Sequence, residues 1–449
     1  MKTDKKIQLK RLALILTLVA AGLTAPAQAA DQDDRVHAAP PAPEQSDIWT
    51  RDKLFGDVGG LRTILGEHGI GIDLRLSQYY QEVASGGVDT NGEYGGTVDY
   101  RVKADLKKLI GSWDGLSVSM HARTRFGEDV NADAGAFALQ NAGLLMPLPG
   151  DYNNTDITGL MVTQAFPFFG GRIGVVAGGK FDVIDLVTAF FPNVGYGQEG
   201  FWNVNGMVSA LPWFGAVNGL SLYGGLAVTI NPKYKAAESG FLFTGTENVS
   251  ATWGSLSDSF DDGVWLAGFH RFFWDLDDKM GYFMVFAGGS TREQASNDPN
   301  DIVVIPGQGL VDTDKKKPWD VALYLYQDIW KAADDPNRKA NIMVGGTVGP
   351  DDPQFAQWHF FANVEAFGLM ESRPHDRMGV SGWYNGLSNN FKDLVSPVIE
   401  LRDTWGFELY YSAEIIPSVH LTADLQFIQN QRKGDDFAII PGVRLVADF

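Results

Sequence analysis

Ionisable residues recur at every second position in two neighbouring stretches of this chain. Asp99, Arg101, Lys103 and Asp105 follow Thr97 in steps of two, and His121, Arg123 and Arg125 follow Ser117 and Ser119 in the same way. A period of two puts each set on one face of a strand. Dense opposed charges on such a face are typical of a water-filled lumen. Arginine is a good fixed donor there, because its fork is planar and always charged. The same charges could equally pair across strands and do no more than hydrate that lumen. Catalytic patterns are missing. The histidines at 37, 68, 121, 270, 359, 375 and 420 show no H-E-x-x-H spacing, and no G-x-S-x-G or phosphate loop occurs. His121 and His420 could point inward, but neither has a sequence partner that would make a nucleophile system. Asp129-x-Asn131-x-Asp133 opens like a calcium loop, but Ala134 and Gln140 stand where the motif needs Gly and Glu. The reading is therefore no metal, no cofactor and no catalytic site.

Strands must position these rows, and the chain supplies them. Gly71–Gln81 presents Asp73, Arg75, Ser77 and Tyr79 on one face. Towards the C-terminus, Thr404, Glu408, Tyr410, Ser412 and Glu414 alternate with Trp405, Phe407, Leu409, Tyr411, Ala413 and Ile415. His420, Thr422, Asp424 and Gln426 then alternate with Leu421, Ala423, Leu425 and Phe427. The last stretch, Ala438 to Phe449, sets Ile439, Pro441, Val443, Leu445, Ala447 and Phe449 against Ala438, Ile440, Gly442, Arg444, Val446 and Asp448. A soluble sandwich also alternates. An exposed apolar terminal strand, however, would recruit other chains by its free edge. A closed barrel in a membrane removes the edge and gives the apolar face a solvent. Aromatics at Tyr100, Phe126, Trp405 and Phe427 fit interfacial girdles.

The bulk features agree. Lys2, Lys5, Lys6, Lys10 and Arg11, an apolar run from Leu12 to Leu23, and Ala27-Gln28-Ala29 make a secretory signal peptide over residues 1–29. No later run is apolar and long enough for a membrane helix. The full chain carries −19, and without the +4 of residues 1–29 the remainder stands near −23, which argues against nucleic acid. There is no cysteine, so disulfides and thiol chemistry are excluded. Residues 30–53 read as a flexible mature N-terminus and 54–70 as a short helical segment, with Leu61, Ile64, Leu65 and His68 on one face and Gly69 as its stop. Residues 71–449, at about 24 residues per strand and connection, give an all-β transmembrane antiparallel barrel of about 16 strands with inward-folded loops. Among the long connections, Gly127–Asn154 is the candidate to fold into the lumen.

Gly56-Asp57-Val58-Gly59-Gly60-Leu61-Arg62 resembles the GDWGG-L-R opening of the carbohydrate-selective porins of Gram-negative outer membranes (OprB type). Val58 departs from that pattern, standing where the family usually has Trp. Leu65–Ile70 and Leu74–Tyr79 fit as well. Arg373-Pro374-His375-Asp376-Arg377-Met378-Gly379 resembles R-P-x-D-x-x-G, and Leu425–Gln429 with Gly442–Phe449 resembles the D-x-Q-x-I…G-x-R…F ending. The resemblance covers nearly all of the mature chain. It implies a monomer more readily than a trimer, placed in the outer membrane, that lets sugars such as glucose diffuse into the periplasm. A C-terminal aromatic like Phe449 resembles the signal read by the barrel-assembly machinery. A sugar presents hydroxyls and an apolar C–H face, so a selective channel needs fixed donors, acceptors and aromatic surfaces, with weak binding. The candidates to line its path are Asp99, Arg101, Lys103, Arg123 and Arg125, with Glu128 and Asp129 facing them, and Glu408. Clustered arginines would form a basic wall there, with Arg101 near Arg123. Lys180 is either part of a second charged cluster at the mouth or, the favoured reading, a solvated strand end. A general or differently selective pore, and an outer-membrane hydrolase, are the alternatives.

Overall fold

A computed structural model describes residues 47–135, 140–145, 154–209, 221–247, 249, 256–305 and 309–449. The segments read as signal peptide and most of the mature N-terminus lie outside the described residues. Sixteen long antiparallel strands form one closed sheet. They are β1 (Ile70–Glu82), β2 (Gly92–Asp105), β3 (Leu116–Gly127), β4 (Thr155–Pro167), β5 (Ile173–Asp182), β6 (Ser221–Asn231), β7 (Ala236–Gly245) and β8 (Val264–Leu276). The second half is β9 (Lys279–Ser290), β10 (Trp319–Lys331), β11 (Lys339–Val348), β12 (Ala356–Phe367), β13 (Arg377–Leu387), β14 (Thr404–Ile416), β15 (Val419–Gln429) and β16 (Asp436–Asp448). Each pairs with its sequence neighbour, and β1 also pairs with β16 from Arg75↔Asp448 to Gln81↔Gly442. That last ladder closes the barrel, so no long strand keeps a free edge. A short strand, Ser85–Gly87, extends the pairing of β16.

Connections alternate between the two ends. Pro417-Ser418 and Asp277-Asp278 are tight turns at one end. At the other end the chain runs long over 128–154, 183–220 and 291–318. The alternation of side chains survives in the burial. On β10, Leu323 and Leu325 face outward at 46% exposure each, while Ala322, Tyr324 and Tyr326 face in. On β16, Arg444 faces inward and is fully buried, and Val443 faces outward. The outer face is thus the apolar one, as a lipid solvent requires. No described helix is long and apolar enough to cross a membrane.

The glycine-rich opening is a helix start. Gly59 and Gly60 hold φ of +69° and +92°, a conformation that suits glycine. Asp57 then accepts from Thr63 through its backbone N–H (2.8 Å) and hydroxyl (2.7 Å), capping helix α1 (Leu61–Glu67). Those bonds hold the exposed Asp57 carboxyl below its usual range. Arg62 donates to Ile72 O at 2.6 Å and to Phe449 O, and Leu54 N–H donates to Asp448 O at 2.7 Å. The helix is thereby tied to both strands of the closing ladder. Val58 is 50% exposed, so the departure from Trp leaves this tie intact.

Candidate functional site

The inward rows of β2 and β3 meet in register. Asp99 pairs with Arg123 and Arg101 with His121. Asp99 is the hub: its Oδ1 receives Arg123 Nε at 2.7 Å and lies 2.6 Å from His121 Nε2. Its Oδ2 accepts from Gln198 Nε2 (2.7 Å) and Thr97 Oγ1 (3.2 Å). On the other side of the imidazole, His121 Nδ1 stands 3.1 Å from Asp182 and 3.0 Å from Asp185. These partners sit about one barrel strand-pair away in sequence, which is why His121 looked isolated in the linear chain. Asp182 ends β5 and caps helix α2 (Val183–Phe190), accepting from Ile184 N and Asp185 N. Burial and the neighbouring Asp182 charge raise the Asp185 carboxyl. The donor atoms of His121, Asp182 and Asp185 lie within 4.8 Å of one another. Nδ1 thus faces both carboxylates at hydrogen-bond distance.

The arginines therefore form no continuous basic wall. Each faces its own partner: Arg123 has Asp99, Arg125 donates to Asp129 at 2.6 Å, and the Arg101 guanidinium lies 3.9 Å from the Tyr196 ring centre. Buried cations are tolerated only when matched in this way. Asp129 also caps Asn131 N–H at 2.9 Å, so it is engaged in a turn and an ion pair. Lys103 and Glu128 are exposed, away from the cluster. Lys180 is 2% exposed, which overturns the solvated strand end: it is buried near the charges of Asp156 and Asp182.

What these rows hold is a second stretch of the chain. Residues 183–209 leave β5, cross the lumen and rest on the opposite wall. The segment comprises α2, a tight turn over Pro192–Gly197 and helix α3 (Val204–Met207). Glu408 of β14 accepts from Trp202 N–H and from Asn203 N–H (3.0 Å). Gln426 accepts from Asn203 Nδ2 at 3.0 Å and donates to Gln140 O at 2.9 Å. Arg444 lies 5.1 Å from the Trp202 ring centre and donates to Gly200 O at 3.0 Å. Arg377 donates to Glu365 at 2.8 Å and to Asn193 O. Arg75 bridges Glu199 (2.7 Å) and Asp448 (2.8 Å). Burial alone would raise the Glu199 carboxyl, but the Arg75 and Arg377 guanidiniums outweigh it and hold it below the usual range. Gly442 is required here: a Cβ would stand 2.8 Å from Trp202 Cζ3. The segment 127–154, expected to fold inward, does so over its described part, where Gln140–Leu145 is buried. It meets the other segment through Ala142 N–H, which donates to Trp202 O at 2.8 Å.

A single closed barrel narrowed by two inward segments is a porin architecture, and the sequence signatures point at the same place. Arg377, Gln426, Gly442 and Arg444, drawn from the two C-terminal signatures, all touch residues 193–203. The sequence model of the carbohydrate-selective porins, OprB family, matches residues 89–449. The chain belongs to this family. It is an outer-membrane porin for carbohydrates. Among solved structures, the high-pH form of Pseudomonas putida OprB is similar, with a TM-score of 0.72 at 16% identity over 89% of this chain and 99% of that one. The low-pH form gives 0.50 at 14% identity over the same shares, 89% and 99%. An anion-selective porin from Comamonas acidovorans gives 0.46 at 11% identity, covering 85% of this chain and 99% of that one. No curated protein matches the sequence.

Among the residues singled out from sequence, Asp99, Arg101, Arg123 and Glu408 meet the inward segment directly or through one partner. Arg125 and Asp129 pair at the root of the other segment, and Lys103 and Glu128 stand apart. Sequence reasoning missed Gln198, Glu199, Trp202 and Arg377. Only the Arg377 signature was visible in the linear chain. On the tight-turn side of the inward segment the porin opens into a cavity of about 470 Å³, and none of the nine nominated residues lines it.

Proposed function

We propose that this OprB-family porin passes monosaccharides such as glucose by passive diffusion, through the gap left where the two inward segments meet beside the Asp99 cluster. One observation carries the reading: the Ala142–Trp202 contact closes the two segments on each other in mid-lumen, so a solute must pass charged and aromatic side chains at close range. Arg101, Arg123, Arg125, Asp99, Asp129 and Glu408 are largely buried and act on the path by fixing the two inward segments, with Tyr196 and Trp202 packed among them. Lys103 and Glu128 belong to the approach, and Lys180 to the floor beneath α2. Passage needs hydroxyls bound weakly enough to be released. Passive diffusion down a gradient needs no catalytic step. A buried Ser209 Oγ does lie 2.6 Å from His359 Nδ1, but among the described residues no carboxylate pairs with that imidazole. A monomer in outer-membrane lipid, assembled through the strand ending at Phe449, completes the proposal.

The test is sugar flux into proteoliposomes. Glucose is expected to enter with saturation and faster than a disaccharide. The double variant Arg123→Ala, Arg125→Ala is expected to lose the saturable part at low glucose. Heat-modifiable migration on a gel checks that its barrel has formed. Unchanged low-concentration flux in a folded variant removes these arginines from the path. Equal, unsaturable flux of glucose, disaccharide and amino acids makes the protein a general pore.

A further inference from the structure

The cavity beyond the inward segment differs in kind from the gap above it. Its wall on β5 and β6 turns Val175, Leu226, Val228 and Ile230 inward, and Phe273 and Met280 continue it across β8 and β9. In a porin, lumen-facing positions are ordinarily polar. This wall offers a sugar's hydroxyls no partner, and the polar groups of the cavity, among them Asn193, Asn337, Asn363 and Glu365, come from other elements.

One arginine stands in this wall, and Lys235, Lys339, Asp182, Asp185 and Glu365 line the cavity elsewhere. Arg271 is 3% exposed and lines the cavity. Its Nη1 donates to Ala237 O at 3.0 Å and its Nη2 to Phe190 O. Its Nε has no acceptor. Nη1 and Nη2 each have an acceptor, so among the described residues Nε is the guanidinium nitrogen left without a partner. Among the described residues no carboxylate forms an ion pair with it. Its other neighbours are rings: Tyr282 at 4.9 Å and Phe191 at 5.4 Å from ring centre to guanidinium carbon. Arg444 is likewise held by backbone oxygens and Arg101 likewise faces a ring, but Arg271 is the arginine that lines this cavity. A buried, unneutralised guanidinium is costly unless a counter-ion joins it.

We propose that this cavity is a second binding site, specific for a small carboxylate carried on an apolar ring. The carboxylate takes the free Nε–H of Arg271, and the ring lies against Phe191, Tyr282 and the aliphatic wall of β5 and β6. The geometry suits an aromatic acid better than an aliphatic one, because Arg271 already presents its face to two rings and a third can stack beside them. The site lies on the tight-turn side of the gap, so its ligand meets it after, or independently of, passage past the Asp99 cluster. It stands apart from the sugar reading, because none of the residues assigned to the sugar path lines it.

The test is the full-length porin in a planar bilayer, with benzoate as probe and benzamide and acetate as controls. Benzoate is expected to reduce the ion current saturably. Benzamide, which keeps the ring and loses the charge, is expected to do so about tenfold more weakly, as one charge-assisted hydrogen bond requires. Acetate, which keeps the charge and loses the ring, is expected to be weaker too. Arg271→Gln is expected to bring benzoate down to the level of benzamide, and Arg271→Lys to restore part of the difference. Equal action of benzoate and benzamide on the wild type overturns the proposal without any variant. Undiminished benzoate action on a folded Arg271→Gln porin overturns it as well. Acetate as strong as benzoate removes the ring from the ligand class and so also overturns it. Glucose flux in the same preparation is a separate readout: its loss of saturation would sink the sugar reading and leave this site standing.

Discussion

At the scale of single residues, the buried Asp99–Arg123 pair has the most at stake. Both side chains are fully buried, and Asp99 also serves Gln198, Thr97 and His121. Removing one partner leaves an uncompensated charge, which costs about 3–5 kcal/mol in a buried pair. Arg123→Met is therefore expected to lower the urea midpoint of the porin in detergent, and Asp99→Asn with Arg123→Met to recover much of the loss. A double variant as unstable as the single one would show that Asp99 is held mainly by His121 and Gln198. Glu199 gives the pH dependence. Its folded-state titration is depressed, so its contribution is present above the ordinary carboxylate range, about 4.3, and is lost as pH falls through the lower folded value. Acidification well below the ordinary carboxylate range should then free residues 193–203 from Arg75 and Arg377 and raise open-channel current noise. Glu199→Gln is expected to be noisier at neutral pH and flatter with pH. A profile identical to the wild type would remove Glu199 from this role.

At the scale of elements, the inward segment 183–209 is held by small, specific fits. Trp202 fits over Gly442 and under Arg444, with Tyr79 edge-on at 5.4 Å. A side chain at 442 would have to push the indole away, because Cβ atoms do not approach ring carbons to 2.8 Å. Gly442→Leu is expected to displace Trp202, break its contact with Ala142 and raise single-channel conductance severalfold while the barrel stays closed. Unchanged conductance would place the narrowest point elsewhere than at the meeting of the two segments. Helix α1 shows the same economy on the outside. Asp57→Ala removes its cap at about 1 kcal/mol, and faster amide exchange over 61–67 is the expected sign.

At the scale of the whole molecule, two solvents meet one sheet. Leu323 faces outward in the middle of β10 and Tyr324 faces in. Leu323→Arg is expected to destabilise the barrel in lipid vesicles by about 2–4 kcal/mol, the cost of a cation at the bilayer midplane. Little change would mean that this stretch of the outer face does not meet hydrocarbon. The closing ladder of β1 and β16 turns sixteen marginal strands into one cooperative unit, since no edge remains to fray or to pair with another chain.

Much of this was legible in the linear chain, because a period of two is a local property. Asp99, Arg101, Arg123 and Arg444 alternate with apolar neighbours, and that alone fixes which side faces lumen and which faces lipid. The strand number followed from length, and the short helical segment from the shared face of Leu61, Ile64, Leu65 and His68 and its stop at Gly69. The partners of the charges were not legible. His121 finds Asp182 and Asp185 only because β3, β4 and β5 lie side by side and α2 turns back over them. Glu408 looked like a lumen acid and is an acceptor for two backbone N–H groups of a segment two hundred residues away. Arg271 gave no signal in the linear chain, and only the closed sheet and the inward segment bring it against Tyr282 and Phe191. Sequence determined the faces, since side-chain direction is set residue by residue. The tertiary structure decided the pairings, since a buried charge is matched by whatever the fold brings within about 3 Å of it.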